Sequence, residues 1–545
     1  MAEPRRNPHF TVAVQILRSD FGPVVEQLGT YLLEHDSCSL QQLQATQFTP
    51  TQIRSSLLVL IQHNIVRPVL LGPAAKVVAP QPRRAARGVG RFVYEASLDE
   101  VLARRWYWWL VGKAERQFGR DGALLMEHML AVGRYTLDDL AHGAALAACK
   151  GCDGPAVAQR AEELDGVLQQ LREARYFDPV DELPTDDVTP ILPMALVAPA
   201  GLGGKGRRGR GAGVASPAPA AGKRKRGGAL TAASTSEFDA RVAVAPPVGN
   251  PGEGKYRRLW RANLAEARRA FRWEAISTLV TDKHDETAGM LLDKILEMQP
   301  PDLSHSEWPN PHVNEPRGRP CTAPFTVDEL VDACEHEIED VGPRPARREL
   351  VSNYLETMCN DPLCQMASPL NGKYMLNLAE MASTVRQLTL ESAVHHKFGN
   401  SASRLFRLLL RLGSAGGCAS ADRPPLKLEL KQLAEKGMMA EGEARPLLGR
   451  MLQAGFVSMQ ELPRSADHNP RTTLYLWHVE LPRACRALEA ELLATEAKLA
   501  VALAEEMRKA GGTGGGSRTD GARRVALLEA AMLRTHESAM LLRFI

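Results

Sequence analysis

The stretch RPLLGRMLQAGFVSMQELPRSADHNPRTTLYLWHV, running from Arg445 to Val479, decides the fold. Leu447, Leu448, Met451 and Leu452 recur at helical spacing, so the opening residues form a helix with one apolar stripe. Gly455 ends that helix, because glycine enters the left-handed region without the steric cost other residues bear. Phe456–Gln460 and Thr473–Trp477 then read as two antiparallel strands, joined by a polar loop too long for a tight turn. A helix feeding directly into a two-stranded hairpin is the back half of a winged helix-turn-helix.

Working outward, the same pattern recurs, as a repeat architecture requires. Phe21–Gly22, Phe118–Gly119 and Phe398–Gly399 each open an apolar helix. Leu28, Leu32 and Leu33 follow the first pair; Leu125, Met129 and Leu130 follow the second; Leu405, Leu409 and Leu410 follow the third. Each set lies 7, 11 and 12 residues after its Phe, on one helical face. Each copy closes with a Leu-rich helix entering a short apolar strand, at Ile65–Val66, Tyr176–Phe177 and Phe456–Val457. The span from Phe to the second strand residue is 45 residues in the first copy and 59 in the other two.

This reading gives a mainly α fold with small β wings: four tandem extended winged helices and a C-terminal helical hairpin or coiled coil. The expected boundaries are 1–96, 97–190, 255–388 and 389–482 for the winged helices and 483–545 for the hairpin. Between them, 191–254 is a disordered, basic, Gly/Ala/Pro-rich linker without apolar periodicity. The third copy is the most divergent. Its helices are interrupted by a Pro-rich insertion at 300–324, then restarted by a Thr326/Glu329 capping box. Asn371–Gly372 marks a tight hairpin turn. In the C-terminal segment Leu488, Leu492, Leu499 and Leu503 form one stripe, and Leu527, Leu528 and Leu541 belong to another.

A chain of 545 residues exceeds a single core, and 44% hydrophobic with 24% charged residues is ordinary globular material. A net charge of +3 makes any nucleic-acid contact local. Arg83, Arg84, Arg87 and Arg91 lie in the first wing loop, which has no acidic residue from Gly72 onward; it is either a phosphate clamp or a solvated loop. Lys223, Arg224, Lys225 and Arg226 fit a nuclear-import signal or a nucleic-acid patch. The run RRWYWWL at 104–110 holds three of the seven tryptophans, which cannot all face one core; some anchor a neighbour, or else stack on bases.

Catalytic constellations are missing. There is no P-loop, GxSxG, HExxH or dinucleotide fingerprint. His395–His396 reads as packed or exposed imidazoles, and the acidic run Asp328–Asp340 covers more than one helix face, as a solvated helix does. Of nine cysteines, Cys149/Cys152 and Cys359/Cys364 lack the second pair that zinc needs, so reduced thiols in an intracellular compartment are expected, with no metal and no cofactor. The N-terminus lacks a signal-peptide apolar run, and no stretch approaches a membrane span. A binding and assembly protein is expected, not an enzyme.

The segments FGPVVEQLGTYLL at 21–33, LLVLIQHNIV at 57–66, YRRLWRANL at 256–264, and MLQAGFVSMQELP with SADHNPRTTLYLW between 451 and 477 resemble the winged-helix subunit of RNA polymerase III. The chain departs from that family in its Gly/Ala-rich linker and in a glycine break within the C-terminal hairpin. The resemblance implies a nuclear, non-catalytic subunit of a DNA-directed RNA polymerase that makes small RNAs such as tRNA and 5S rRNA. It implies partners: the clamp of the largest subunit, two smaller heterotrimer subunits, a promoter-bound initiation factor and DNA, with no membrane and no small-molecule substrate. Residue physics alone leaves an alternative open, a winged-helix scaffold in a cullin-ligase or membrane-sorting assembly.

Overall fold

The computed structural model describes residues 8–35, 37–71, 91–149, 154–180, 258–299, 322–336, 338, 342–361, 366–414, 427–463, 473–511 and 518–545. The first stretch comprises helices α1 (Pro8–Phe21) and α2 (Pro23–Glu34), strand β1 (Cys38–Ser39), helices α3 (Leu40–Gln44) and α4 (Pro50–Gln62), and strands β2 (Val66–Leu71) and β3 (Arg91–Ala96). The second has α5 (Leu98–Ala103), α6 (Tyr107–Val132), α7 (Leu137–Ala148), α8 (Gly154–Glu173), β4 (Phe177–Pro179) and β5 (Trp260–Ala262). The third has α9 (Leu264–Lys283), α10 (Glu286–Glu297), α11 (Val327–Ala333), α12 (Arg344–Cys359), β6 (Ala367–Leu370) and β7 (Lys373–Leu376). The fourth has α13 (Leu378–Phe398), α14 (Asn400–Ser414), β8 (Leu428–Glu429), α15 (Leu430–Lys436), α16 (Glu441–Gln453), β9 (Ser458–Leu462) and β10 (Leu474–His478). Helices α17 (Leu481–Gly511) and α18 (Arg518–Phe544) complete the chain.

Local chemistry places these elements. Ser39, Thr49 and Thr326 build capping boxes with Gln42, Gln52 and Glu329, and Pro50 stands in the first turn of α4 where no N–H is needed. Gly22, Gly119 and Gly399 have φ of 83°, 71° and 87°, so each PheGly pair stops or kinks the leading helix before the next begins. The third copy uses Asp285 instead, a side-chain cap for α10, which is why no PheGly marks it. Asn371 and Gly372 both have positive φ, the turn expected between β6 and β7.

The wings share one register. Tyr94 pairs with Cys38 on one side and Pro68 on the other; Trp260 with Tyr135 and Pro179; Tyr374 with Phe325 and Pro369. In each the proline lies on the outer strand, where a missing donor is tolerated. The fourth sheet, ordered β8-β10-β9, has Leu476 between Glu429 and Gln460. One expectation needs correction here. Trp260–Ala262, read as the opening of the third copy, is the ladder partner of Phe177–Pro179 and so belongs to the second wing. A second correction concerns α16, which starts at Glu441, not Arg445, and holds Pro446 inside it. The helix tolerates this at the loss of one backbone hydrogen bond.

Two compact units emerge. One comprises residues 23–97 and 111–262. Within it the ends of α4 and α6 meet: Gln62 Nε2 donates to the Arg134 carbonyl at 2.8 Å, and Arg134 Nε donates to Asn64 Oδ1 at 2.8 Å. Gly133 is required there, since φ is +91° and a Cβ would lie 2.3 Å from the Gln62 carbonyl oxygen.

The other unit comprises 1–22, 98–110 and 263–545. Its helices α1, α5, α9 and α13, the leading helices of successive copies, pack among themselves and on the α17/α18 hairpin. The fourth copy shares a core with that hairpin: Phe406, Leu448, Phe456 and Trp477 are buried with Ala484, Cys485 and Leu488 of α17 and Leu542 of α18. Burying a ring such as Phe406 stabilises by about 2–3 kcal/mol. Leu527, expected on the hairpin's apolar stripe, is instead 62% exposed, and Ala539, Met540 and Leu542 carry the buried side. Trp106 packs edge-on to Phe544 and Trp109 on Phe271, whereas Trp108 is exposed. The row of tryptophans therefore serves mainly as core.

Candidate nucleic-acid and protein interfaces

A winged helix has two surfaces for a partner, its recognition helix and its wing. The recognition helices here are α4, α8, α12 and α16. On α4, Arg54 is the basic residue and it is exposed. Helix α8 exposes Glu162, Glu163 and Asp165, and its Arg160 is paired with Asp121 and, at 2.8 Å, with Glu163. On α12 the arginines turn to the preceding helix: Arg344 meets Asp332 at 2.7 Å and Arg348 meets Asp328 at 3.4 Å. Those acids were read from sequence as solvated, and they are; Glu337, Glu339 and Asp340 lie outside the described residues. Helix α16 balances exposed Arg445 and Arg450 with Glu441 and Glu443. Insertion into a major groove needs several uncompensated donors on one helix. None of these four presents that surface.

The wings carry the basic sequence. Arg91 is the first residue of β3, paired in register with Leu71, and Arg83, Arg84 and Arg87 lie outside the described residues. Lys223, Arg224, Lys225 and Arg226 also lie outside them. At the root of the second wing the structure brings together Arg172, Arg258 and Trp260, which sequence reading missed. The signal was available only as RRLW at 257–260, whose pairing across some 80 residues cannot be read locally.

The base of the hairpin holds a buried polar network. Glu496 pairs with Arg105, and its Oε1 accepts from His536 Nε2 at 3.0 Å. Arg543 bonds Asp99 and lies 3.0 Å from His9 Nδ1; His9 Nε2 is 3.5 Å from Glu489. Arg386 donates to the Ile545 main-chain oxygen at 2.7 Å. Burial pulls Arg105 below the usual guanidinium range and the Glu496 carboxylate opposes it. Burial pushes the Cys485 thiol up to about 11, so it is no nucleophile. His395 and His396 are exposed. Among the described residues no group of three His, Cys, Asp or Glu could hold a metal ion, and no helix is long and apolar enough to cross a membrane.

Known proteins match this architecture at both ends and along its length. The family model for the POLR3C C-terminal winged-helix domain matches residues 423–479, and that for the RNA polymerase III subunit RPC82 helix-turn-helix domain matches residues 11–69. The chain is 26% identical over 490 residues to DNA-directed RNA polymerase III subunit RPC3 of Bos taurus, covering 87% of this chain and 80% of the relative. The Homo sapiens protein of the same name is 26% identical over 490 residues, covering 87% and 79%, and that of Danio rerio 24% over 500, covering 86% and 79%. The matched ends are the stretches holding the α2–α4 helix-turn-helix and the β8-β10-β9 wing, and along most of its length the chain is similar to the RPC3 subunits of DNA-directed RNA polymerase III.

Proposed function

We propose that this chain is a non-catalytic, nuclear subunit of DNA-directed RNA polymerase III that helps engage the promoter-bound initiation factor and open DNA for synthesis of small RNAs. The single observation supporting this reading best is the likeness to RPC3 subunits along 87% of the chain. Its partners are then the clamp of the largest subunit and two smaller subunits, met through protein-facing recognition helices and the hairpin. DNA is met at phosphates by the first wing, through Arg83, Arg84, Arg87 and Arg91. The charge balance of α8, α12 and α16 supports that division of labour. Lys223–Arg226 serves as the import signal.

Depleting the chain from a nuclear extract tests this reading. Transcription of a tRNA gene is expected to fail and to return when recombinant chain is added; undiminished transcription after depletion contradicts it. Replacing the four wing arginines by alanine is expected to lower the salt slope of DNA binding by up to about 4, equally for all sequences. Promoter opening suffers more than elongation.

A further inference from the structure

Three of the four wings close their outer edge with a proline. Trp260 exchanges both main-chain hydrogen bonds with Tyr135, at 2.7 and 3.0 Å, and Tyr374 does so with Phe325, at 2.8 and 3.0 Å. The residue across from each on the other side, Pro179 or Pro369, therefore turns its nitrogen outward, away from the sheet. Pro68 takes that place opposite Tyr94 in the first wing. An edge without its central donor is a poor template for another strand. The fourth wing has Gln460 there, opposite Leu476, with its N–H intact. Gln460, Glu461 and Leu462 of this outer strand, β9, are exposed, Leu462 by 47%. Leu428, Met459 and Trp477 pack into the core, so strand alternation puts Leu462, Leu474 and Leu476 together on the opposite face. Lys427 Nζ donates to Gln460 Oε1 at 2.6 Å, while Glu461 forms no ion pair among the described residues.

We propose that the outer edge of β9 docks an extended segment of a partner protein, which adds a strand to the β8-β10-β9 sheet. Its main chain bonds the outward N–H and carbonyl of Gln460. Its alternate side chains are apolar and lie on Leu462, Leu474 and Leu476. On the other face it carries a Lys or Arg beside Glu461, since opposite charges on neighbouring strands attract. That charge selects a partner over a second copy of this chain. Antiparallel pairing of two β9 strands about Gln460 sets each Glu461 against Met459, and parallel pairing in register sets the two carboxylates side by side. The proposal does not depend on the polymerase reading.

The test uses the full chain in its own cells, carrying Leu462→benzoylphenylalanine as a photo-crosslinking probe, with the attached peptide sequenced by mass spectrometry. One segment is expected, apolar at alternate positions with a Lys or Arg between them. Gln460→Pro, which gives the fourth wing the residue of the other three, is expected to lower that crosslink roughly tenfold, through a lost main-chain donor and the added ring. Glu461→Lys is expected to lower it several-fold, and it decides the matter if Gln460→Pro also lowers the unfolding midpoint of the purified chain. Absence of a crosslink, a crosslink to nucleic acid or to a second copy, a segment without that pattern, or a yield unmoved by either variant overturns the proposal. Each of those failures leaves polymerase membership intact, since membership is read by co-purification with the unaltered chain.

Discussion

Three residues in the left-handed region end the recognition helices of the first, second and fourth copies: Asn64 at φ 63°, Arg175 at 60° and Gly455 at 80°. Each is followed by the same bond back to the helix, Ile65 to Leu60 at 2.9 Å, Tyr176 to Leu171 at 3.0 Å and Phe456 to Met451 at 3.0 Å. Side chains other than glycine lose about 1–2 kcal/mol in that conformation. Arg175→Gly is therefore expected to raise stability by about 1 kcal/mol in denaturant titration. Gly455→Ala is expected to lower it, doubly so because the added Cβ would lie 2.9 Å from Ala487 Cβ. Asp285 offers a pH-dependent counterpart. The Tyr354 hydroxyl, at 2.5 Å, and the Ala288 N–H hold its carboxyl below the usual range. A depressed folded-state pKa stabilises above the unfolded value and is lost as pH falls through the folded one. Asp285→Asn should flatten that acid limb of the stability profile, and Asp285→Ala should cost about 1 kcal/mol at neutral pH. An unchanged acid limb in the Asn variant contradicts the assignment.

At the scale of elements, the matched spacing seen in sequence has a physical cause. Phe398 meets Phe456 edge-on with ring centroids 5.9 Å apart, and Phe118 meets Tyr176 likewise at 5.6 Å. In the second and fourth copies the Phe of PheGly and the ring that closes the copy are thus one contact, at the same chain separation, whereas the first copy closes with Ile65 and is shorter. Local signals of this kind were legible: glycine stops, capping boxes, the Asn371–Gly372 turn. What was not legible depended on partners distant in the chain. Trp260 joins β4 across a long insertion, Leu527 faces solvent although its helix phase suggested a stripe, and α16 extends N-terminal of Pro446, where Ala444 is buried in the shared core. The arginines of the second wing root escaped notice for the same reason. Gly133→Ala probes the α4–α6 contact directly. Positive φ and a collision with the Gln62 backbone should cost about 2 kcal/mol or more, read as a lower midpoint of unfolding.

At the scale of the molecule, the hairpin is where the leading helices converge. Phe544 packs against Trp106 and Phe271, Arg543 bonds Asp99, and Arg386 holds Ile545. Removing residues 543–545 should therefore lower the unfolding midpoint of this unit, and Glu496→Ala, by stranding buried Arg105, should cost about 3–5 kcal/mol. The most direct measurement of the polymerase account is affinity purification of the tagged full chain from its own cells, with the co-purifying proteins identified and counted. The account predicts RNA polymerase III subunits, the largest among them, at one copy per chain. Recovery of ligase or membrane-sorting components in that stoichiometry, with no polymerase subunit, would contradict it.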